Sequence, residues 1–214
     1  MKALDLFCGA GGASMGLYRA GFDVVGIDIR PQPRYPFPFI QADALKPQVD
    51  LRAFDFVWAS PPCQGYTTMN NRHGSDTPKL IGDIRAMLVS GGVPYCIENV
   101  EGAAKDMPRS FRLCGSSFGI GTRRHRLFEC SELFLVPQCS HHDSKNLPIY
   151  GKLDGRRLWT RSDGSELRAA STLSEARAAI GIGWMEWDEL REAIPPAYSE
   201  FIGRTFIESR RAIA

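Results

Sequence analysis

The chain has 214 residues, of which 43% are hydrophobic and 23% charged, and its formal net charge is +2. This length and composition are typical of a folded protein with one large domain, or one domain with a small appendage, and the net charge excludes a surface coated in basic residues. Any contact with nucleic acid must therefore come from a local basic patch. No run of about 18 apolar residues predicts a membrane span, and no signal peptide is evident, so we expect reduced cysteines in a cytoplasmic protein.

The N-terminal segment predicts a strand, a glycine-rich turn and a helix. The apolar stretch 3–7 runs into a group of glycines, and a helix follows over about 12–20. Glycines permit a tight turn and a close approach of ligand to backbone, while the helix N-terminus directs N–H groups at that ligand. A second strand, 23–27, ends in Asp28, which is suited to bind ribose hydroxyls. A purely structural turn is the alternative, but the combination favours a cofactor that contains adenosine.

A proline-rich connection over 30–39 leads to a third short strand, 39–42, with Asp43 at its end. The Asp43 carboxylate is placed to accept a hydrogen bond from an adenine amino group. A helix N-cap for the residues from Ala44 onward is a comparable interpretation, and the two roles are compatible.

The most informative stretch follows the apolar run 54–59, which predicts a buried strand. Two prolines end this strand and present Cys63 at the head of a polar loop. A thiolate is a strong nucleophile, and open α/β sheets bind ligands at the ends of parallel strands, so Cys63 is a candidate catalytic residue. An inert buried cysteine is the alternative. The polar stretch from 66 to 78 is typical of a mobile lid.

Acidic and basic side chains occur near the ends of the next predicted strands. A helix over 79–89 precedes a strand over 93–97, after which Glu98 is either an acid–base partner or a solvated surface residue. Further on, Arg124 and Arg126 enter another strand on the same face. Such a charge run is usually a solvated edge, but two arginines directed at a cleft would bind a phosphate or a base carbonyl.

The segment 131–172 differs in character from the rest and predicts one or two β-hairpins with a basic face suited to a nucleic-acid backbone. Its basic residues are Lys152, Arg156, Arg157, Arg161 and Arg168. A simple surface hairpin is the alternative. Two cysteines and two histidines lie in or next to this segment, but their spacing fits no standard zinc pattern, so no metal site is predicted. They are Cys130, Cys139, His141 and His142. Helices over 174–180, 185–193 and 199–211 complete the prediction.

In chain order, these segments resemble the motifs of the DNA (cytosine-5-)-methyltransferases. The matching segments are 5–12 with 20–22, 61–64, 98–100, 122–126, 172–183, and 193–197 with 200–203. No single motif is decisive, but the ordered set is highly specific. The resemblance implies an α/β fold, a doubly wound Rossmann-like sheet that binds S-adenosylmethionine, with a small β-hairpin recognition insertion. It divides the chain into a catalytic and cofactor-binding domain, 1–130, a short target-recognition region, 131–172, and C-terminal helices that return to the catalytic domain, 173–214.

The resemblance also assigns a cofactor site to residues near the ends of the first strands. It implies that Phe7 faces the adenine, that Asp28 takes the ribose and that Asp43 takes the adenine amino group. Gly9 and Gly11 would admit the amino-acid end of the cofactor. Ile29 and Pro61 complete this set.

The implied reaction is methylation of carbon 5 of a cytosine that is flipped out of double-stranded DNA. Cys63 would attack carbon 6, Glu98 would neutralise charge at ring nitrogen 3, and Arg126, helped by Arg124, would bind the ring carbonyl. Gln64 and the basic residues Lys152, Arg156, Arg157 and Arg161 would contact DNA. We expect a monomer.

Three departures from the family pattern qualify this interpretation. Thr122 stands where the family usually has Gln, and Arg191-Glu192 replace a usual Gly-Asn near the methionine end of the cofactor. The recognition region is also short, which favours a minimal enzyme with a short or relaxed target and suggests a phage or mobile-element origin. No restriction partner can be identified from one chain.

Two other classes of function stay open at this stage. One is a catalytically silent DNA-binding or cofactor-sensing protein on the same fold, against which the intact Cys63, Glu98 and arginines argue. The other is an enzyme that acts on RNA or transfers a different group, because contacts to a 2′-hydroxyl leave no mark in a sequence.

Overall fold

A computed structural model describes residues 1–67, 77–132, 135–141, 146–160 and 166–213. Its centre is a seven-stranded sheet whose strands β1 to β7 are Lys2–Leu6, Asp23–Asp28, Phe39–Gln41, Phe56–Ala59, Tyr95–Asn99, Phe111–Leu113 and Arg126–Cys130. The strand order is β3-β2-β1-β4-β5-β7-β6, and only β7 runs antiparallel to its neighbours. The order reverses direction between β1 and β4, which is where doubly wound sheets bind ligands. The predicted fold class is confirmed.

Five α-helices occur in the described residues, α1 to α5. They span Gly12–Ala20, Ile81–Gly91, Leu173–Ile180, Trp187–Glu192 and Pro196–Ile213. The prediction for α1 is confirmed, and Thr172 caps α3 by accepting a hydrogen bond from the Glu175 N–H. The last helix begins three residues earlier than predicted, at Pro196 rather than Ser199, because proline is well tolerated at the first position of a helix.

Two hydrophobic layers cover the two faces of the sheet. Along β4, Val57 and Ala59 point to one layer while Phe56 and Trp58 point to the other. Helix α2 covers the first face, and helices α1 and α5 cover the second. This alternation follows from the two-residue period of side chains in a strand, and burial on both faces explains why the strand is continuously apolar.

Two predicted boundaries near the site were wrong. Strand β5 ends at Asn99 rather than at Ile97, so Glu98 is a buried strand residue and not a surface residue after the strand. The residues after Asp43 form a turn instead of a helix, and the Asp43 carboxylate accepts a hydrogen bond from the Leu45 N–H at 2.9 Å. The predicted capping by Asp43 is therefore present, but the segment that follows it is a single turn and not a helix.

The recognition segment contains one antiparallel hairpin among the described residues, formed by β8, Arg157–Thr160, and β9, Glu166–Arg168. The turn predicted over 162–164, Arg161 and His142 lie outside the described residues, as does the central part of the predicted lid, 68–76. Within the described part of the chain, no helix has the length and apolar character that a membrane crossing requires.

Candidate active site

The glycine-rich turn after β1 forms an open cradle beside Asp28. Gly9 has φ of 49°, and a Cβ atom built on it would meet nothing within 4 Å. Its N–H donates to Asp28 Oδ2 at 3.0 Å, and the Arg30 N–H donates to Asp28 Oδ1 at 2.9 Å. Each carboxylate oxygen retains a free acceptor position. Gly9 thus leaves room for a ligand next to a carboxylate whose orientation is fixed by two backbone donors.

Apolar surface lies beside this cradle. Ile29 is 65% exposed directly after β2, and Phe7, which is half-buried, has a φ of 60° that directs the chain sharply away from β1. A positive φ is rare for a bulky residue and is found mainly where a site requires it. The exposed Asp43 follows the neighbouring strand β3.

Gly11 has a different environment from Gly9. It adopts φ of 86° as the N-cap of α1, and a Cβ on it would lie 3.0 Å from atoms of both Tyr35 and Pro36. The Tyr35 hydroxyl lies 2.7 Å from Ser14 Oγ. The proline-rich connection therefore folds back over the turn at Gly11, a contact that the sequence analysis did not predict.

Cys63 is half-buried after β4, and its loop is held by the neighbouring strand. The buried Asn99 side chain of β5 donates to the Pro61 carbonyl at 2.9 Å and accepts from the Val100 N–H at 3.0 Å. Both ends of the amide are thereby satisfied, so the loop before Cys63 is fixed to β5. Asn99 was part of a recognised motif, but its positioning role was not predicted, because it depends on β4 and β5 being adjacent.

Glu98 and Arg126 form an ion pair next to Cys63. Arg126 Nε lies 3.2 Å from Glu98 Oε1, and both side chains are largely shielded from solvent. Burial raises the pKa of Glu98, while the charges of Arg126 and Arg124 and a hydrogen bond from Ser60 oppose the rise. Burial also raises the pKa of Cys63, and the charge of Glu98 adds to this rise whereas that of Arg126 opposes it. The three predicted residues thus lie within electrostatic reach of one another.

Arg124 precedes β7 rather than lying in it, and its φ of 29° is unusual for a residue with a side chain. Its guanidinium donates to the carbonyls of Ile149, at 3.3 Å, and Arg191, at 2.5 Å. Its Nε atom is buried with no hydrogen-bond partner within the described ranges. Burial, followed by the charge of Arg126, lowers the pKa of Arg124 to about 9, so the group is still charged at neutral pH.

Residues from the C-terminal part of the chain complete the site. The Tyr198 hydroxyl lies 2.9 Å from the Arg124 carbonyl and 3.1 Å from that of Arg123. The Trp184 ring N–H donates to the Ala10 carbonyl at 2.8 Å. The charge of the exposed Glu192 contributes to raising the pKa of Cys63, after the larger effects of burial and Glu98. No local pattern marked Tyr198 or Trp184, because their partners are remote in sequence.

Of the residues predicted to contact DNA, Gln64, Lys152, Arg156 and Arg157 are exposed, and Arg161 lies outside the described residues. Gln64 follows Cys63 directly, whereas Arg156 and Arg157 lie at the start of the β8–β9 hairpin. Arg156 is paired weakly with Asp154, at 3.8 Å. An exposed pair of this kind contributes little to stability, so the Arg156 guanidinium can exchange partners at small cost.

Comparison with known proteins identifies the family of the chain. The family described as C-5 cytosine-specific DNA methylase matches residues 1–107, half of the chain. The Type II methyltransferase M.AgeI of Thalassovita gelatinovora is 32% identical over 74% of this chain and 41% of its own length. A probable DNA (cytosine-5)-methyltransferase of Frog virus 3 is 27% identical over 77% of this chain and 72% of its own. The chain spans 30%, 38% and 41% of the lengths of three curated relatives that it matches.

Two solved structures share the fold. A putative DNA modification methyltransferase encoded within an Escherichia coli prophage has a TM-score of 0.62 and 14% identity, covering 97% of this chain and 99% of its own. The Dnmt2 methyltransferase of Schizosaccharomyces pombe has a TM-score of 0.58 and 14% identity, covering 95% and 97%. The cofactor of the matched family is S-adenosylmethionine. On the evidence of the family match, the ordered motifs and the geometry at Cys63, this chain belongs to the C-5 cytosine-specific DNA methylase family.

Proposed function

We propose that the protein transfers a methyl group from S-adenosylmethionine to carbon 5 of a flipped-out cytosine in double-stranded DNA, through a covalent adduct with Cys63. The observation that carries this proposal is the convergence of Cys63, Glu98 and Arg126 at the ends of β4, β5 and β7. The open cradle at Gly9 and Asp28 lies at the ends of β1 and β2, and β1 pairs directly with β4.

The residues around the cradle fit S-adenosylmethionine. Asp28 has free acceptor positions for ribose hydroxyls, and the exposed Ile29 together with Phe7 offers apolar surface to an adenine ring. Gly9 leaves space for the amino-acid end, and Pro61 and Asp43 would border the site. Gly11 supports the turn through its contact with Tyr35 and Pro36 rather than by leaving open space. When bound, the cofactor supplies an electrophilic methyl group on its sulfonium.

Cys63 carries the nucleophilic step. Its thiolate attacks carbon 6 of the cytosine, and the ring becomes an enamine-like nucleophile at carbon 5. The positive charge of Arg126 favours the thiolate, and its guanidinium has donors for the ring carbonyl beyond the Nε that faces Glu98. Arg124 adds positive charge from a fixed position. Loss of the carbon-5 proton and elimination of the Cys63 thiolate complete the reaction.

Glu98 is suited to neutralise the charge that develops on the ring. Attack on carbon 6 places negative charge on ring nitrogen 3, and a protonated carboxyl group there stabilises it. The burial that raises the pKa of Glu98 favours the protonated form. Flipping is required because carbon 6 cannot be reached within the base stack. Gln64, next to Cys63, would contact the DNA at the position of the extruded base.

The DNA duplex would lie across the exposed basic residues of the recognition segment. Lys152, Arg156 and Arg157 are solvent-accessible, and Arg161 would extend the same group. Several relatives are named as Type II methyltransferases, which favours a role in modifying DNA at a short target, as in restriction-modification. We also propose that the protein acts as a monomer. Its setting would be the cytoplasm of a bacterium or of a phage-infected host cell.

Mass spectrometry of nucleosides tests this function. Duplex DNA is incubated with protein and S-adenosylmethionine, and wild type is compared with Cys63→Ser and with the control Cys130→Ser. We expect 5-methyldeoxycytidine from wild type and Cys130→Ser but not from Cys63→Ser. If RNA is methylated in a parallel reaction and DNA is not, the assignment of DNA as the substrate is wrong. If neither DNA nor RNA is methylated, the result favours a protein that binds DNA without catalysis.

A second experiment tests the covalent step. DNA that carries 5-fluorocytosine forms the same adduct, but fluorine cannot leave as a proton does, so the protein–DNA bond persists. Wild type should therefore give a species that migrates slowly under denaturing conditions, and peptide mapping should place the bond at Cys63. Methylation of ordinary DNA without any trapped species would contradict the adduct.

A further inference from the structure

A second group of reactive side chains lies beside the segment 122–126, which carries Arg124 and Arg126. This group has no part in the proposed reaction. It consists of Cys114, His125, Cys139 and His141, whose four ligand atoms all lie within 4.8 Å of one another. From sequence alone, Cys139 and His141 group with Cys130 and His142, a set whose spacing fits no standard zinc pattern. The described structure instead adds Cys114, from the end of β6, and His125, from the start of β7.

The distances within this cluster match a tetrahedral ion. His125 Nε2 lies 3.3 Å from His141 Nε2, Cys114 Sγ lies 3.3 Å from His141 Nε2, and Cys139 Sγ lies 3.8 Å from His125 Nε2. A tetrahedral Zn²⁺ with ordinary bond lengths separates two nitrogen ligands by about 3.3 Å and a sulfur from a nitrogen by about 3.6 Å. These three distances therefore lie within about 0.3 Å of those that zinc requires.

The surroundings of the cluster also suit a metal. Glu101 Oε2 lies 3.5 Å from His125 Nδ1, on the opposite side of the ring from the cluster. A carboxylate in this position orients a ligating histidine and keeps the proton on Nδ1, so that Nε2 is free to bind the metal. The Ser116 hydroxyl lies 3.1 Å from Cys114 Sγ and can donate to a thiolate. Cys114 is buried and the other three side chains are partly buried, which shields the cluster from bulk solvent.

We propose that Cys114, His125, Cys139 and His141 bind one structural Zn²⁺ ion. Binding releases the protons of the two thiols to solvent, and the two thiolates and two neutral imidazoles form a closed Cys₂His₂ site with no open position for substrate. Cys114 and Cys139 are free cysteines in the structure and are not joined by a disulfide.

The location gives the ion a defined structural role. His125 lies between Arg124 and Arg126, while Cys139 and His141 belong to the first part of the recognition segment, 131–172. The ion would join this part of the recognition segment to the residues that carry both arginines. It would thereby position the arginines without touching the substrate.

Metal analysis of untagged wild-type protein, purified under reducing conditions without chelator, is the direct test. We expect about one zinc per chain by inductively coupled plasma mass spectrometry, and the intense visible spectrum of tetrahedral Co²⁺ after exchange. Cys139→Ser, a change in a loop, should lose the zinc and weaken affinity at least about 100-fold in chelator competition. Cys130→Ser makes the same chemical change outside the cluster and should keep the zinc.

Thermal unfolding extends the test beyond metal content. Zinc removal should lower the midpoint of wild type and of Cys130→Ser but leave that of Cys139→Ser unchanged. Wild-type protein that carries no zinc, takes up none from micromolar Zn²⁺ and gives no tetrahedral Co²⁺ spectrum would overturn the proposal, as would a Cys114–Cys139 disulfide in the reduced preparation. If Cys139→Ser does not fold, the wild-type titration alone decides. None of these results depends on methyl transfer.

Discussion

The Asn99 side-chain amide donates to the Pro61 carbonyl at 2.9 Å, in a buried contact that joins β5 to the loop of the nucleophile. This hydrogen bond determines where the chain leaves β4 and hence where Cys63 is presented. Pro61, two positions before Cys63, is thus held in place by Asn99, which follows Glu98.

Asn99→Ala should therefore reduce turnover although Asn99 touches neither substrate. Loss of the Asn99 amide leaves the Pro61 carbonyl without a hydrogen-bond donor, which costs about 1–3 kcal/mol of folding stability. It also releases the loop that carries Cys63. We expect kcat to fall about 10–100-fold with a smaller change in KM for DNA, measured by steady-state kinetics and urea unfolding. Asn99→Asp, which retains an acceptor for the Val100 N–H, should show a similar loss of kcat. Full activity in both variants would refute the positioning role.

The ionisation of Cys63 should respond in opposite directions to its two charged neighbours. Glu98 raises the pKa of Cys63 and Arg126 lowers it. Glu98→Gln should therefore shift the midpoint of Cys63 alkylation to lower pH, and Arg126→Gln should shift it to higher pH. Peptide mapping after iodoacetamide pulses at a series of pH values measures this for Cys63 alone. Shifts in the same direction would contradict the assigned electrostatics.

Glycine-to-alanine substitutions in two helices should separate close packing from helix propensity. A Cβ on Gly16 in α1 would lie 2.1 Å from the Pro196 carbonyl oxygen, whereas one on Gly82 in α2 would meet nothing within 4 Å. Gly16→Ala should destabilise the protein by roughly 1–3 kcal/mol because backbone must move. Gly82→Ala, the matched control, should be neutral or stabilising by about 0.4–1 kcal/mol. Urea unfolding of both variants measures the difference, and equal effects would argue against the α1–α5 contact.

Asp5 should make the protein less stable as the pH rises. Burial raises its pKa to about 7 from an ordinary value near 3.8, so between these values the folded state binds the proton more tightly than the unfolded state does. Unfolding free energy then falls with increasing pH across this window. Asp5→Asn removes the titration and should flatten this dependence in urea midpoints taken from pH 5 to 8. A slope that is unchanged in the variant would place the titrating group elsewhere.

The exposed arginines of the hairpin should contribute to DNA affinity through phosphate contacts. Replacing Arg156 and Arg157 together by Ala should weaken binding and reduce the dependence of log Kd on log salt by about 2, one for each lost contact. Fluorescence anisotropy at several salt concentrations measures both quantities. Arg19→Ala with Arg211→Ala removes the same charge from helices away from the site and should leave the salt dependence unchanged. An unaltered slope in the hairpin variant would remove these residues from the interface.

Sequence patterns predicted the features of this protein that depend on residues close together in the chain, such as strand ends and motifs. The apolar run before Pro61 and the glycines after β1 predict two strand ends, and the ordered motifs bring Cys63, Glu98 and Arg126 to one site. The extent of β5 was wrong because Glu98 and Asn99 read as polar residues after a strand, whereas pairing with β7 extends the strand over both.

Local sequence patterns did not predict the contacts between segments that are remote in the chain. Tyr35 over Gly11, Tyr198 beside the Arg124 carbonyl and Asn99 at Pro61 each join residues whose proximity depends on the completed sheet. The cysteine and histidine cluster shows the same limit, because only Cys139 and His141 are close in sequence. Its other two members come from the ends of β6 and β7, which the antiparallel pairing brings together.

The contact between Ser199 and Ala13 has a consequence for biosynthesis. The Ser199 hydroxyl donates to the Ala13 carbonyl at 2.8 Å across 186 residues of chain, and α5 covers the face of α1 that follows the glycine-rich turn. A ribosome making this chain releases β1 and α1 long before α5 exists. The nascent chain therefore exposes apolar surface of α1 until translation has passed Ser199. The recognition segment, 131–172, is therefore made before this face of α1 can be packed.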